Sequence, residues 1–245
     1  MRRLVLSFLL VTVLGAAPAL ARTTLPEQPV DAFITGTLLT TSAAPAASLC
    51  ITAVADEAAF PHGWRIGFDG TTDSTGRFSI QVSAREHHAA IRYALAFDTC
   101  NADVPVAPEI YKHLDVDLHY GWNAVPHLFV AAHRTASIGA WRLRPEAIIS
   151  GNVRLALGKP MRGACVELAG GPPHESSNLT MVGVDKNGHY RFRQLVPGPY
   201  RLTLHDNCTL YYQLREQGSD DSVLGTTTYD VTVRIGEHKT LDMTF

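Results

Sequence analysis

Short runs of alternating apolar and polar residues separated by turn residues make up most of this chain. Residues 90–97 place four large apolar side chains on one face, and residues 229–235 alternate in the same way. A period of two is typical of a half-buried strand, and no long stretch repeats at helical spacing. The pattern therefore predicts an all-β protein.

One turn sequence occurs twice. Asp185-Lys186-Asn187-Gly188 lies between two predicted strands, and Asp73-Ser74-Thr75-Gly76 is a weaker copy upstream. Asp opens such a turn by accepting hydrogen bonds from the backbone that follows, and Gly supplies a positive φ. The four residues at 185–188 also begin like a calcium-binding loop, but the distal glutamate of that loop is missing, so we expect a hairpin turn. Two copies of one unit predict two copies of one domain.

Predicted strands recur at short intervals, with glycine and proline between them. This spacing is typical of β-sandwiches. The boundary between the two units is expected near Arg144-Pro145, which gives one sandwich over residues 33–144 and another over residues 145–245. The predicted strands cover residues 33–38, 49–54, 64–68, 90–97, 148–153, 164–168, 179–185, 190–195, 200–206, 229–235 and 240–245.

The amino terminus has the pattern of a secretory signal peptide. Met1-Arg2-Arg3 is basic, residues 4–14 are mostly apolar, and Ala19-Leu20-Ala21 forms a small-x-small cleavage site. The alternative is a retained anchor, but the apolar run is shorter than the roughly 20 residues that span a bilayer. We predict that residues 1–21 are removed, that residues 22–32 form an extended leader, and that the mature protein is secreted without stable membrane insertion.

Charge excludes one class of partner. The chain has 21 basic and 23 acidic residues, for a net charge of −2. Because no basic stripe is present, neither nucleic acid nor an anionic membrane is predicted as a partner.

Four cysteines in an exported chain indicate disulfides. Four cysteines allow three connectivities, and the repeat favours one of them, because Cys50 and Cys165 occupy equivalent places 14 positions after Gly36 and Gly151. The predicted bridges are Cys50–Cys100 and Cys165–Cys208, each closing a loop that stabilises the fold by about 4 kcal/mol. Cys100 has the wrong parity for its strand, so a bulge or twist is expected near Asp98. Zinc is the alternative use of the four thiols, but no C-x-x-C pair is present.

The second unit resembles the carboxypeptidase regulatory-like domain. The resemblance covers residues 147–245 and extends more loosely over residues 33–143, where residues 84–88 replace the L-x-P-G-x-Y turn. It implies a prealbumin-like (Ig-like) seven-stranded sandwich, grouped with carbohydrate-binding-like folds, that serves as a non-catalytic binding or spacer module. The matching positions are Ile149/Gly151, Gly158/Pro160/Gly163/Ala164/Val166, Asp185/Gly188/Tyr190, Leu195/Pro197/Gly198/Tyr200 and Val231/Val233/Gly236.

Aromatic residues beside amides are the candidate ligand-binding groups. Tyr120 and Trp122 are followed by Asn123, and Tyr211 and Tyr212 by Gln213. Trp64 is a third candidate. Exposed rings of this kind stack on sugar faces, whereas the alternative is that the rings pack in the core.

Residues 113–120 contain the sharpest polar pattern. In a strand, His113, Asp115, Asp117 and His119 would share one face. One imidazole and one carboxylate could share a metal ion, but the simpler alternative, a solvated face over an apolar one, is the prediction. His87-His88 is expected in a loop, and two glycosylation sequons begin at Asn178 and Asn207.

No catalytic residue, metal or cofactor is predicted. The motifs G-x-S-x-G and H-E-x-x-H and a phosphate-binding loop are absent, although a catalytic triad need not be local in sequence. The hypothesis is a secreted binding protein that recognises carbohydrate through exposed aromatics. The alternative is a structural or protein–protein interaction module at the cell surface, and a hydrolase with a dispersed site is the third class.

Overall fold

The computed structural model describes residues 29–55, 67–85, 90–100, 102–113, 125–170, 180–216 and 225–245. The chain is all-β, as the sequence predicts, and the described strands form two successive β-sandwiches with one short helix in the second. The first unit contains β1 Pro29–Leu39, β2 Cys50–Ala55, β3 Gly67–Thr71, β4 Arg77–Arg85, β5 Ile91–Asp98, β6 Glu109–Ile110, β7 Leu128–Val130 and β8 Thr135–Arg142. The second contains β9 Ala147–Arg154, β10 Cys165–Gly170, β11 Thr180–Gly183, β12 His189–Leu195, β13 Gly198–His205, α1 Cys208–Glu216, β14 Thr226–Val233, β15 His238–Thr240 and β16 Met243–Thr244.

The two units pair their strands according to the same plan. In the first, β1 lies between antiparallel β4 and parallel β8. In the second, β9 lies between antiparallel β12 and the parallel strands β15 and β16. The facing sheets also correspond, in the orders β3-β2-β5-β6 (with β7 also on β5) and β11-β10-β13-β14.

The repeated turns have the same hydrogen bonds. The Asp73 carboxylate accepts the backbone N–H of Thr75 and Arg77 at 2.8 and 3.0 Å. The Asp185 carboxylate accepts those of Asn187 and His189 at 2.8 and 2.9 Å. The glycine that closes each turn has φ of +75° or +88°, a conformation in which a side chain is strained.

Each sandwich has its own core. The first is centred on Ile34, Tyr93 and Phe97, and the second on Ile149, Leu202 and Leu204, all essentially inaccessible to solvent. Leu143 belongs to the first core and Ala147 to the second, so the chain passes from one to the other within four residues. The domain boundary at residues 144–145 stays a prediction that this placement favours.

A bulge in β12 joins the two units. Register shifts between Phe192 and Leu195, and Gln194 there adopts φ of +58°. Its amide donates to the Ala102 carbonyl at 2.6 Å, and its side-chain oxygen accepts from Thr99 at 2.8 Å. The junction is therefore built from specific polar contacts as well as from the short linker.

Arg193 and Glu146 complete the junction. The Arg193 guanidinium pairs with the nearly buried Glu146 at 2.7 Å and with the exposed Asp103 of the first unit. Glu146 also accepts the backbone N–H of Gln194 at 2.8 Å. One carboxylate in the linker thus binds two consecutive residues of the β12 bulge.

The first predicted disulfide is formed between Cys50 and Cys100, with a Cα–Cα distance of 5.5 Å. β5 ends at Asp98, which lies opposite Cys50, and Cys100 beyond it has φ of +46°. The expected irregularity near Asp98 therefore takes the form of a strand end followed by a left-handed residue.

The second predicted bridge, Cys165–Cys208, is not formed in the structure. Both residues are free thiols there, Cys165 buried and Cys208 partly exposed. The bridge stays a prediction.

Candidate functional site

The predicted aromatic positions do not form a shared platform among the described residues. Tyr211 is 4% exposed and Tyr212 is 49% exposed, and their rings meet edge-on at 79°. The burial of Tyr211 fits the alternative in which the rings pack in the core, and its assignment as a ligand-binding ring stays a prediction. Tyr212 remains available, and Tyr120, Trp122 and Trp64 lie outside the described residues.

Tyr211 is buried because residues 208–216 form a helix that packs on the sheet, whereas the sequence pattern predicts an all-β chain. Asn207 caps this helix, accepting the backbone N–H of Leu210 through its side chain at 3.0 Å. The signal was present in the sequence, since Asn207 is a favoured N-cap residue followed by apolar Leu210, Tyr211 and Leu214.

α1 covers the outer face of the β10–β13 pair. Val166 and Leu168 belong to the core, so the alternating residues Cys165 and Glu167 point away from it. On that side the Tyr211 ring packs against His205 at 4.4 Å, and its hydroxyl donates to Glu167 at 3.3 Å.

Under α1 lies a sealed polar cluster. His205 is 2% exposed, and its Nε2 is 2.8 Å from the Glu167 carboxylate. Nδ1 of His205 and Oδ1 of the neighbouring Asp206 are buried without a hydrogen-bond partner. Such orphaned atoms cost free energy, so this is the least satisfied polar region that the described chain contains.

The first unit has a related cluster around Glu109, whose side chain is completely buried. Its oxygens accept from Trp141 Nε1 at 2.9 Å, from Arg144 Nε at 3.0 Å and from the Arg144 backbone at 3.3 Å, and His113 Nδ1 is 3.1 Å away. A buried carboxylate that contacts this many donors is fixed in place, which suits a structural role.

The predicted strand face at residues 113–119 differs from the structure where it can be compared. His113 lies in a turn with φ of +61° and stacks on Trp141 at a centroid distance of 4.6 Å. The reason is its pairing with buried Glu109, four residues earlier, which a strand would not allow. Asp115, Asp117 and His119 lie outside the described residues.

Two concavities of the described surface are open and shallow. One of about 470 Å³ is lined by residues that include Gly170, Pro199, Arg201 and Asp230. Another of about 410 Å³ is lined by polar side chains that include Ser150, Asn152, Asp185 and His189. Within the described residues, no three or more His, Cys, Asp and Glu side chains converge as metal ligands.

The strand β14 lies at one edge of its sheet in the second unit. It pairs with β13 through eight consecutive residue pairs without a register shift. In the described part of the chain it has no partner on its other side. Its sequence, Thr226 to Val233, contains no proline, lysine, arginine or glycine, and its one charge, Asp230, pairs with Arg201 on β13 at 3.0 Å.

Two contacts hold β14 against the opposite sheet. The Tyr229 hydroxyl donates to the Thr244 carbonyl at 3.2 Å and lies 3.2 Å from the Thr244 backbone nitrogen. Val231 and Val233 are buried in the core. The strand is therefore a fixed edge, with a length of about 27 Å for eight residues.

A scan against protein-family models finds no match, and a search of curated proteins finds none. The resemblance to carboxypeptidase regulatory-like domains thus has no independent confirmation. Among the described residues, no helix is long and apolar enough to cross a membrane.

Solved structures with low similarity include two pilins. The minor pilin GBS52 of Streptococcus agalactiae has a TM-score of 0.40 and 12% identity, covering 86% of this chain and 94% of that one. A streptococcal ancillary pilin has a TM-score of 0.38 and 11% identity, over 88% of this chain and 62% of that one. The TIE protein of Bacillus anthracis has a TM-score of 0.32 and 9% identity, over 88% of this chain and 34% of that one. The chain thus spans less than two thirds of the length of two of these proteins, and likenesses at this level say nothing about its ligand.

Proposed function

We propose that this chain is a secreted, non-catalytic protein-interaction module, and that its second sandwich binds an extended segment of a partner protein along the free edge of β14. The observation that carries this proposal is the eight-residue unshifted ladder with an open outer side. Such an edge presents unpaired N–H and C=O groups to any extended backbone.

The absence of protective features on β14 supports the proposal. Natural sheet edges are usually protected by short strands, bulges, lysine or proline. The other described strands of the second unit that have one neighbour are shorter or irregular: β11 and β15 have four and three residues, and β12 carries the bulge. An edge without these protective features fits a strand that pairs with a partner.

Export is part of the same proposal. The predicted signal peptide at residues 1–21 and the Cys50–Cys100 disulfide both favour an oxidising extracellular compartment. A pre-formed sandwich presents its edge with little ordering cost.

A peptide-retention experiment tests the edge. The chain without residues 1–21 is passed over an immobilised decapeptide of alternating valine and threonine with lysine at both ends. A control peptide carries proline at every second position and cannot pair as a strand. We expect retention on the first peptide alone, together with slower amide exchange in β14. Equal retention on both peptides, or protection confined to other strands, would contradict the proposal.

Two adjacent substitutions form a matched pair. In an antiparallel ladder, neighbouring residues point their N–H groups to opposite sides, so Thr227→Pro and Thr228→Pro remove one donor to β13 and one donor to the free edge. The variant that loses the hydrogen bond to β13 should have a lower melting temperature. The variant that loses the donor on the free edge should fold normally, but the immobilised peptide should no longer retain it. If both folded variants are retained like the unmodified protein, the edge is not the site.

The same apparatus tests carbohydrate recognition. Starch, cellulose, chitin and cell wall replace the peptide, with Tyr212→Ala and Trp122→Ala as variants. Saturable retention on one polymer that these variants lose would favour the carbohydrate hypothesis over edge pairing.

A further inference from the structure

Cys165 and Cys208 approach each other from two elements of the second unit. Cys165 is the first residue of β10, and Cys208 is the first residue of α1. The Cys208 backbone N–H donates to the carbonyl of Gly163 at 2.9 Å. Because Gly163 lies two residues before Cys165, this bond holds the start of the helix close to the start of β10. The Cys208 side chain is near enough to Cys165 to raise the pKa of its thiol.

The first unit has a covalent bond at the corresponding place. Cys50 is the first residue of β2, the counterpart of β10, and it is bonded to Cys100, which lies two residues beyond the end of β5. Cys208 lies three residues beyond the end of β13, the counterpart of β5. The additional residue allows the second unit to begin its helix directly at the cysteine.

We propose that Cys165 and Cys208 are a second disulfide site, and that the bond fastens the start of α1 to the outer face of β10. The bond would hold the helix that seals the His205–Glu167 cluster. This inference does not rest on the proposed partner edge.

The bond forms by thiol–disulfide exchange with an external disulfide, such as oxidised glutathione or the disulfide of an exported oxidoreductase. Cys208 is partly exposed and Cys165 is fully buried, so Cys208 is the sulfur that the reagent reaches first. The Cys208 thiolate attacks the glutathione disulfide, and one glutathione thiolate leaves. The Cys165 thiolate then attacks the Cys208 sulfur and the second glutathione leaves, so two thiols are oxidised and two glutathiones are formed.

Burial raises the pKa of the Cys165 thiol, and contact with Cys208 raises it further. The second step therefore depends on a nucleophile that is poorly ionised at neutral pH. Closure should accelerate as pH rises, because more of the Cys165 thiol is then deprotonated.

The experiment counts thiols. The chain without residues 1–21 is reduced completely, refolded, treated with oxidised glutathione and alkylated in denaturant. Closure of Cys50–Cys100 in the same sample is an internal control for the oxidant. We expect alkylation to fall from four cysteines to none, and peptide mapping to join the Cys165 and Cys208 peptides. Two alkylated thiols remaining after Cys50–Cys100 has closed would overturn the proposal.

Cys208→Ser is the matched variant, because it retains the buried thiol and removes its partner. We expect one thiol that is alkylated only after denaturation. Amide exchange provides the second measurement: α1 should exchange severalfold more slowly in the oxidised protein than in Cys165→Ser/Cys208→Ser. Equal exchange in the two proteins would overturn the role of the bond in holding the helix.

Discussion

The two sandwiches share a strand-pairing plan and differ most at one edge. On β5 the first unit places two separate strands of two and three residues, β6 and β7, and Glu109 of β6 is tied to Trp141 and Arg144. On β13 the second unit places the continuous eight-residue strand β14. The same topology thus has a fragmented edge in one copy and a long regular edge in the other.

This difference determines which of the two edges could pair with a further strand. A fragmented edge tied down by a buried carboxylate cannot accept another strand along its length, whereas a regular edge can. In the proposed function, the first unit is a support and the second carries the receptor surface. The Gln194–Ala102 and Arg193–Asp103 contacts join them into one body.

The largest effect that would sharpen the comparison is removal of the first unit's covalent link. Cys50→Ser/Cys100→Ser should lower the free energy of unfolding by about 4 kcal/mol, because the bridge closes a loop with a sequence separation of 50. Tryptophan fluorescence in a urea titration measures this loss selectively, since Trp64, Trp122 and Trp141 all precede residue 144.

Cys165→Ser/Cys208→Ser is the counterpart in the second unit. Circular dichroism in urea measures its free energy of unfolding. A loss comparable to that of the first double variant would show that a disulfide stabilises both units to the same extent. If the first double variant unfolds at the urea concentration of the unmodified protein, the bridge does not stabilise the sandwich as expected.

The next effect concerns the equivalent glycines Gly36 and Gly151. A Cβ at Gly151 would overlap the Leu241 backbone carbonyl, whereas one at Gly36 would overlap the side chains of Ile138 and Phe78, which can move. Gly151→Ala should therefore destabilise by about 3 kcal/mol, and Gly36→Ala by about 1–2 kcal/mol. Urea titrations of both variants check the order, and a reversed order would mean that the β9–β16 side is the more adaptable one.

Much of this architecture could be predicted from local sequence. The turns at Asp73 and Asp185 were recognisable because an aspartate and a glycine at fixed spacing determine the backbone there. The period of two at residues 90–97 and 229–235 predicts β5 and β14, whereas β6, β7 and β8 were not predicted. Glycines 14 positions before Cys50 and Cys165 marked the repeat.

The buried clusters could not be predicted in the same way. Glu109 accepts hydrogen bonds from Trp141 and Arg144, which lie more than thirty residues later in the sequence, and no local sequence pattern predicts such a contact. The burial of Tyr211 could not be predicted, because exposure depends on which face of α1 packs on the sheet. The role of β14 as an edge follows from strand order, which alternation alone does not determine.

A smaller effect concerns one hydroxyl that only the second unit has. Tyr190 and Phe78 occupy equivalent positions after the turn, and the Tyr190 hydroxyl donates to the Leu241 carbonyl at 2.6 Å. Tyr190→Phe should cost about 1 kcal/mol through the lost hydrogen bond. Circular dichroism in urea measures the loss, with Tyr212→Phe as an exposed control that should change little. An unchanged midpoint for Tyr190→Phe would show that this bond adds nothing to the second unit.

The smallest effect is a pH dependence that the repeated turns should share. The Thr75 hydroxyl and neighbouring N–H groups hold the pKa of Asp73 below its ordinary value of 3.8. The backbone N–H groups of His189 and Asn187 do the same for Asp185. A carboxylate whose pKa is lower in the folded state stabilises the fold above its unfolded pKa and loses that contribution as pH falls through the folded pKa.

We therefore expect both units to lose stability as pH drops below about 4, by a modest amount because both carboxylates are fully exposed. Asp73→Asn keeps an oxygen that accepts the turn hydrogen bonds but cannot ionise. Asp73→Asn should reduce the loss of stability of the first unit at acidic pH, which tryptophan fluorescence measures. It should not change the loss of stability of the second unit, which amide exchange at Tyr190 measures. If Asp73→Asn changes the pH dependence of both units equally, the junction couples the two sandwiches into a single cooperative unit. The two sandwiches would then differ in their proposed roles but not in their stability.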